Sequence, residues 1–375
     1  MTTLATAFTA TVLSAPRRVG PWLLGAGLLG SVLAGDEVYF QPADGARLER
    51  TVSVALELQV ADYALTQAGE PIEPADLDES LDPDALGGEW QLEFDVEDAF
   101  ERSRRGRALA FVRTMVDSRL DGESMDDDDE DRRTVRFAWD EDAGDYTRTL
   151  VGDEEPDAED EKMLAGLRVD MDHLHLLPTG APEPDARWDV ELGLDGFVAT
   201  VLPLFETEAL LDQMRSSASE DDASTGAFID TLLGELENAF ESVSAQMLFK
   251  SFRPDENSGR ALAVFDLEVD ESISMDVGAL LTELVLAEME AEGGGEEGPV
   301  PTIELIVTIQ MQGEGEFAWD QDGHHLHHME LPLRFELGID GRFVIELPGL
   351  GEFEFVAGTA TWAGEMTLTQ TATAG

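Results

Sequence analysis

Apolar and polar residues alternate along much of this chain. In residues 51–60, TVSVALELQV, the even positions are apolar and the odd positions are mostly polar, which is typical of a strand with one buried face. The same pattern predicts strands at 89–96, 107–116, 133–140, 146–151, 165–176, 188–194, 244–252, 260–269, 302–312, 315–320, 326–337, 342–347 and 352–370. Turn dipeptides such as Asp195-Gly196 and Asp340-Gly341 favour antiparallel pairing.

Three segments have helical periodicity instead, because their apolar residues recur at three- and four-residue spacing. These helices are predicted at 203–215, 227–243 and 275–292. Ser274 is the expected N-cap of the last one and Gly293–Gly295 its end. Residues 216–226, SSASEDDASTG, are typical of a flexible linker. The chain is therefore predicted to be α+β, with a predominantly antiparallel sheet and about three helices joining or covering it.

Three short motifs occur twice, in the same order, and indicate an internal duplication. They are Gly106–Ala110 with Gly259–Ala263, Phe137–Asp140 with Phe317–Asp320, and Glu191–Gly196 with Glu336–Gly341. Coincidental similarity of strand and turn sequences is the alternative interpretation. The predicted organisation is a signal peptide at 1–34, a β-rich half at 35–202, a helix and linker at 203–226, and an α+β half at 227–375.

The start of the chain differs sharply from the rest, because no acidic residue precedes Asp36. Arg17-Arg18 are followed by the apolar run 19–34, with small residues before Gly35, which is the pattern of a secretory signal peptide. An uncleaved anchor is the alternative. We expect export to the periplasm, the cell envelope or the extracellular space. The glycine pattern at 25–30 lacks the preceding strand that a dinucleotide-binding motif requires.

Charge restricts the partners. The chain has 81 acidic and 23 basic residues and a formal net charge of −58. Such a surface opposes binding to nucleic acid and to anionic membranes, and it suits high salt, cations or basic partners. The chain has no cysteine, which excludes disulfides, thiol catalysis and thiolate metal sites. The apolar fraction of 43% predicts a folded core despite the charge.

The six histidines form two clusters. Alternation on the predicted strands places His173 and His175 on one apolar face, and His325 and His327 on another. If those strands pair, the four imidazoles converge into a site for a divalent metal ion. The alternative is that these histidines lie at strand ends near hairpins. The acidic runs at 126–131 and 153–162 lack the glycine of a calcium loop.

No motif identifies a reaction. The sequence contains no G-x-S-x-G elbow and no phosphate-binding loop. The function predicted is therefore an exported, highly acidic, non-enzymatic protein with a binding or structural role. The alternatives are a histidine-cluster metal-binding protein or metal-dependent hydrolase, and a carrier of a lipid or other small hydrophobic ligand, which the amphipathic helices would cover.

Overall fold

Thirteen strands form one antiparallel sheet in the described part of the chain. The structure is a computed structural model that describes residues 37–72, 87–125, 133–152, 156–219, 223–291, 300–347 and 351–375. The predicted signal peptide at 1–34, the acidic run at 126–131 and the glycines at 293–295 lie outside these residues.

The strands differ greatly in length. They are β1 Arg47–Gln67, β2 Glu70–Pro71, β3 Gly88–Arg104, β4 Arg107–Leu120, β5 Glu123–Ser124, β6 Thr134–Asp140, β7 Asp145–Leu150, β8 Arg187–Glu191, β9 Ser244–Pro254, β10 Ala261–Asp276, β11 Val300–Asp320, β12 His325–Leu347 and β13 Gly351–Ala374. Their order across the sheet is β7-β6-β4-β3-β1-β13-β12-β11-β10-β9-β8, with β2 on β1 and β5 on β4. Strands of both predicted halves thus belong to one sheet, joined where β1 pairs with β13 and where β8 pairs with β9.

Five α-helices occur among the described residues. They are α1 Ala158–Gly166, α2 Gly193–Val201, α3 Thr207–Ser219, α4 Ala223–Phe240 and α5 Gly278–Ala291, with a short 3-10 helix at Leu174–Leu176. Leu164, Val201 and Phe240 belong to the same buried cluster as the inward residues of the sheet. None of the described helices has the length and apolarity needed to cross a membrane.

The alternation correctly predicts the sheet-dominated α+β class. On β1, Leu48, Arg50, Val52 and Val54 are buried and the residues that alternate with them are not. The predicted strands 302–312 and 315–320 are one strand, β11, and 326–337 and 342–347 are likewise one strand, β12. Asp340-Gly341 lies inside β12 with partners on both neighbouring strands, so the predicted hairpin there is wrong.

Other predicted elements also need correction. Asp195-Gly196 lies in the first turn of α2 rather than in a hairpin. Ser274 is a residue of β10, and the N–H of Gly278 at the start of α5 bonds to Asp276 Oδ1 at 3.0 Å. Most of the predicted linker is helical, because α3 extends to Ser219 and α4 begins at Ala223.

The segment 165–176 is not a strand. It contains the end of α1, an irregular stretch and the 3-10 helix. The carboxylate of Asp170 accepts the backbone N–H groups of Asp172 and Leu174, each at 2.8 Å, and such local bonds compete with strand pairing. We call residues 167–177 the crossing segment, because their contacts run across β4, β1, β13 and β12.

The motif copies are not all equivalent in the sheet. The two glycine-arginine motifs begin β4 and β10, and the two tryptophan motifs end β6 and β11, which pair with β4 and β10 respectively. The third pair differs, because Glu191–Gly196 joins β8 to α2 whereas Glu336–Gly341 lies within β12. The duplication itself stays a prediction.

Close strand packing makes glycine necessary at position 364. Gly364 of β13 pairs with Leu58 and Phe335, and a Cβ atom there would overlap the carbonyl oxygen of Glu57 and the ring of Phe335. We expect Gly364→Ala to lower the free energy of unfolding by about 1–3 kcal/mol. Urea unfolding in molar salt measures this.

Gly234 in α4 provides the matched control, because a Cβ atom there meets no atom within 4 Å. Gly234→Ala should raise the free energy of unfolding by up to about 1 kcal/mol, since alanine favours helix. Equal stability of Gly364→Ala and the wild type would contradict the packing argument.

Candidate functional site

Four charged side chains form a buried chain beneath the crossing segment. They are Arg113 on β4, Asp98 on β3, Arg50 on β1 and Asp172 in the crossing segment, and each is at most 3% exposed. Their strands place them in register, since Asp98 pairs directly with Arg113. On each of β1, β3 and β4 the charged residue lies between apolar residues on the same face of the strand.

Two of the three contacts in this ion network are bidentate. Arg113 Nε and Nη2 donate to the two oxygens of Asp98 at 2.8 and 3.1 Å, and Arg50 Nε donates to Asp98 Oδ2 at 2.9 Å. Arg50 Nη1 and Nη2 donate to the two oxygens of Asp172 at 3.2 and 2.7 Å. Two positive and two negative charges balance, so the network satisfies the condition under which charges are tolerated in a core.

The network also fixes the crossing segment to the sheet. Arg113 Nη1 and Nη2 donate to the carbonyl oxygens of Arg168 and Val169 at 2.5 and 3.2 Å. Asp172 Oδ1 accepts the N–H of Leu326 at the start of β12, at 2.8 Å. Although burial alone would raise the pKa of Asp98, Arg113 and Arg50 outweigh it and hold that pKa below its usual value.

A partly enclosed cavity of about 260 Å³ lies beside this network. Five aromatic residues belong to its wall, namely Phe40, Phe100, Phe111, Trp139 and Tyr146. Phe111 stacks on Phe100 and on Phe137, with ring centroids 5.5 and 4.6 Å apart. The hydroxyl of Tyr146 donates to the carbonyl oxygen of Ala108 at 2.5 Å, and burial raises the pKa of Tyr146 to about 12. The rings are thus fixed and uncharged.

Charged residues also line the cavity, among them Asp170 and Arg107. Asp170 has no cation within 4 Å in the described residues, and its oxygens are used by backbone N–H groups. Burial, followed by the neighbouring Asp172, raises the pKa of Asp170 to about 6. The guanidinium of Arg107 lies 3.9 Å from the ring centroid of Trp139.

A wider depression of about 840 Å³ runs across β1, β13, β12, β11 and β10. Its walls carry Glu57, Asp270, Glu271, Glu336 and Glu365. Most of these side chains face solvent on an open surface, which is typical of a solvated acidic face, whereas Glu271 accepts hydrogen bonds from the N–H and the hydroxyl of Ser244. The aromatic cavity is the better candidate site because apolar walls there meet a few fixed polar groups.

The histidines of the predicted metal site lie at different places. His173 is buried in a left-handed conformation with φ 52°, and its Nε2 is 2.8 Å from Gln370 Oε1. Because Gln370 Nε2 donates to the Met171 carbonyl at 2.6 Å, we assign the His173 proton to Nε2. His175 Nε2 lies 3.2 Å from Thr200 Oγ1, and its ring centroid is 6.0 Å from that of His173.

A bulge separates His325 from His327. The β11–β12 register shifts between Ala318 and Trp319, so that Trp319 pairs with Leu326 and Ala318 with His328. His325 is buried, whereas His327 lines a groove with Leu262 and Ala318, outside the main core. The predicted common face of His325 and His327 is therefore wrong.

In the segments that the structure describes, no group of three or more histidine and acidic side chains is placed to hold a metal ion. Three histidine ring nitrogens in the described residues, His173 Nδ1, His324 Nδ1 and His325 Nε2, are buried without a hydrogen-bond partner. Metal binding by His173, His175, His325 and His327 remains a prediction. The ion network was missed by the sequence reasoning, although Arg50 and Asp98 interrupt apolar faces and could have signalled it.

No protein-family model matches the chain, and no curated protein matches it. Among solved structures, the chain is similar to OccK5 (OpdH) of Pseudomonas aeruginosa, at 6% identity and a TM-score of 0.19. The match covers 88% of this chain and 98% of that one. A TM-score this low carries no argument about fold or function.

We expect the loss of Asp98, the central carboxylate of the ion network, to destabilise the protein strongly. Asp98→Asn leaves Arg50 and Arg113 buried with half their countercharge, so the free energy of unfolding should fall by about 3–5 kcal/mol. The control is Glu101→Gln on the same strand, whose partner Arg136 lies at the surface 2.7 Å away; a change within about 1 kcal/mol is expected. If urea unfolding showed equal destabilisation by Asp98→Asn and Glu101→Gln, burial of the network would not explain the cost of losing Asp98.

The lowered pKa of His173 predicts that the free energy of unfolding falls in acid. Burial, followed by the neighbouring His175, lowers the pKa of His173 to about 3, against about 6.5 in an unfolded chain. The unfolded state therefore binds a proton first, and stability falls as pH drops from about 6.5 towards 3, by up to about 1.4 kcal/mol per pH unit. The stability difference between wild type and His173→Gln should shrink between pH 7 and pH 5. A constant difference would mean that His173 titrates normally.

Proposed function

We propose that this protein is an exported, highly acidic, non-enzymatic binding protein, and that the aromatic cavity holds a small apolar or amphiphilic ligand. The observation that carries the proposal is a cavity of about 260 Å³ with aromatic walls beside a balanced ion network. The acid-free start of the chain and its charge of −58 support export and a cation-rich environment.

The state of the charged groups supports binding rather than catalysis. Both oxygens of Asp98 and Asp172 accept bidentate bonds from arginine, and both oxygens of Asp170 accept backbone N–H groups. A general base needs an oxygen or nitrogen within reach of a substrate proton. These carboxylates hold the protein together instead.

The size of the cavity limits the ligand. At about 30 Å³ for each group the size of a water molecule, the volume holds roughly nine such groups. That suits a short alkyl chain or one aromatic ring rather than a whole phospholipid. The function is therefore narrower than that of a general lipid carrier.

Metal binding is a second candidate, favoured by the buried and unpartnered nitrogens of His173 and His325. Neutral imidazole nitrogens of this kind are ligands for zinc, copper or nickel. Elemental analysis of protein purified without a metal-affinity column tests it. Less than about 0.2 metal ion per chain, allowing for partial loss, would contradict it.

We also propose that the two halves of the chain arose by duplication. The order β3-β4-β6-β7 in the first half resembles β9-β10-β11-β12 in the second, with the recurring motifs on β4 and β6 and on β10 and β11. A duplicated sheet that later diverged would explain why the cavity is formed by one copy of the motifs.

A cavity-filling substitution tests the binding function. Octanamide, a neutral amphiphile with a seven-carbon tail, should bind the wild type saturably in isothermal titration calorimetry in molar salt. Ala108 lines the cavity and is 3% exposed, so Ala108→Leu should weaken binding at least about tenfold by occupying the tail's space. No saturable binding to the wild type would contradict the proposal.

Ala138→Leu is the matched control. Ala138 lies next to Phe137 on β6, is less buried, and does not line the cavity. The same added volume there should leave octanamide affinity unchanged. Equal weakening by both substitutions would place the octanamide site elsewhere.

A further inference from the structure

A cluster of arginines stands beside the aromatic cavity of this otherwise acidic protein. Residues 102–107, RSRRGR, contain four arginines at the turn between β3 and β4. Arg104 lies 3.3 Å from Glu141, and Arg105 pairs with Glu37. Such a basic turn is unexpected in a chain with 81 acidic residues, and two of its residues, Gly106 and Arg107, line the cavity.

Arg107 has no acidic partner in this cluster. Most arginines of the described segments lie within 4 Å of a carboxylate, but Arg107 does not, and its guanidinium stacks on Trp139 at 3.9 Å. The N–H groups of the Arg107 side chain make no hydrogen bond to the described residues. Since arginine presents a planar fork of donors that matches carboxylate and phosphate, Arg107 is positioned to bind an anion.

The second copy of the motifs gives an internal comparison. Arg260 occupies the same place in its motif as Arg107, and it pairs with the buried Asp320 at 2.6 Å. Asp140, the counterpart of Asp320, accepts the N–H groups of Asp142 and Ala143, and Asp320 likewise accepts those of Asp322 and Gly323. The two turns are thus alike, but in the first copy the arginine is not neutralised by the motif's own aspartate.

The tryptophans differ in the same way. Trp319 is 0% exposed in the core, whereas Trp139 forms part of the cavity wall. The first copy therefore leaves both the arginine and the ring available to a ligand. Asp170, the other charged residue of the cavity lining without an ionic partner among the described residues, is less suited to bind a cation because both its oxygens are already used.

We propose that the cavity binds an amphiphile with an anionic head group, whose carboxylate or phosphate is held by Arg107 and whose short tail lies among the aromatic rings. This inference rests on the proposed binding function and names the ligand's class. The overall charge of −58 repels anions at low ionic strength, but screening restricts that repulsion to about 10 Å at 0.1 M salt and less above it. The local contact with Arg107 then decides affinity.

Three matched probes test the head group, namely octanoate, octanamide and octylammonium, titrated into the full chain at pH 7.5 in 0.5 M salt. Octanoate should bind at least about tenfold more tightly than octanamide, as a charge-assisted bidentate contact predicts, and octylammonium should bind most weakly. Octyl phosphate in a fourth titration separates a phosphate from a carboxylate preference. Equal affinities of the first three, or a preference for octylammonium, would overturn the inference.

Arg107→Gln locates the contact. It should abolish the preference for octanoate over octanamide, and a far-UV circular dichroism spectrum like that of the wild type shows that the variant is folded. The control Arg334→Gln removes an equal charge from an exposed side chain on β12 and should alter no affinity. If octanamide binds but Arg107→Gln does not change octanoate affinity, the binding function stands and the anionic class fails. If no probe binds the wild type, both fail.

Discussion

The buried chain Arg113–Asp98–Arg50–Asp172 is the constraint on which the rest of this structure depends. It joins β4, β3 and β1 to the crossing segment and, through Leu326, to β12. Removing charges from water costs several kcal/mol per ion, and the bidentate contacts approximately offset that cost. The network therefore adds little net stability and instead selects one arrangement, because any shift of register would leave a charge unpaired in the core.

The position of the crossing segment determines where space remains beside the sheet. Arg113 holds the carbonyl groups of Arg168 and Val169, and Asp170 turns the backbone towards the 3-10 helix. Val169, Asp170 and Leu174 then line the cavity together with rings from the sheet. The same charges that fix the fold thus leave a cavity with fixed walls, as a binding site with little reorganisation requires.

Alternation along the chain predicted the sheet well because most strands bury one face, as Leu48, Val52 and Val54 do on β1. It failed at 165–176, where Leu167, Val169 and Met171 also alternate but the carboxylate of Asp170 captures the backbone N–H groups that a strand would use. It also failed at Asp340-Gly341, since pairing on both sides keeps β12 extended through a turn-forming sequence. The site could be predicted from the sequence only in part. The sequence shows Arg50 on an apolar face, but its partner Asp98 lies 48 residues further along the chain.

The recurring motifs show how similar sequences acquire different environments. In the second copy, Arg260 neutralises Asp320 and Trp319 fills the core. In the first, the aspartate keeps its role of capping the turn, whereas the arginine stacks on the tryptophan beside a cavity. Local sequence specifies the turn in both, since the aspartate bonds to N–H groups two and three residues ahead. Local sequence does not determine whether neighbouring segments cover the tryptophan. That difference decides whether the tryptophan is a core residue or part of the wall of the proposed site.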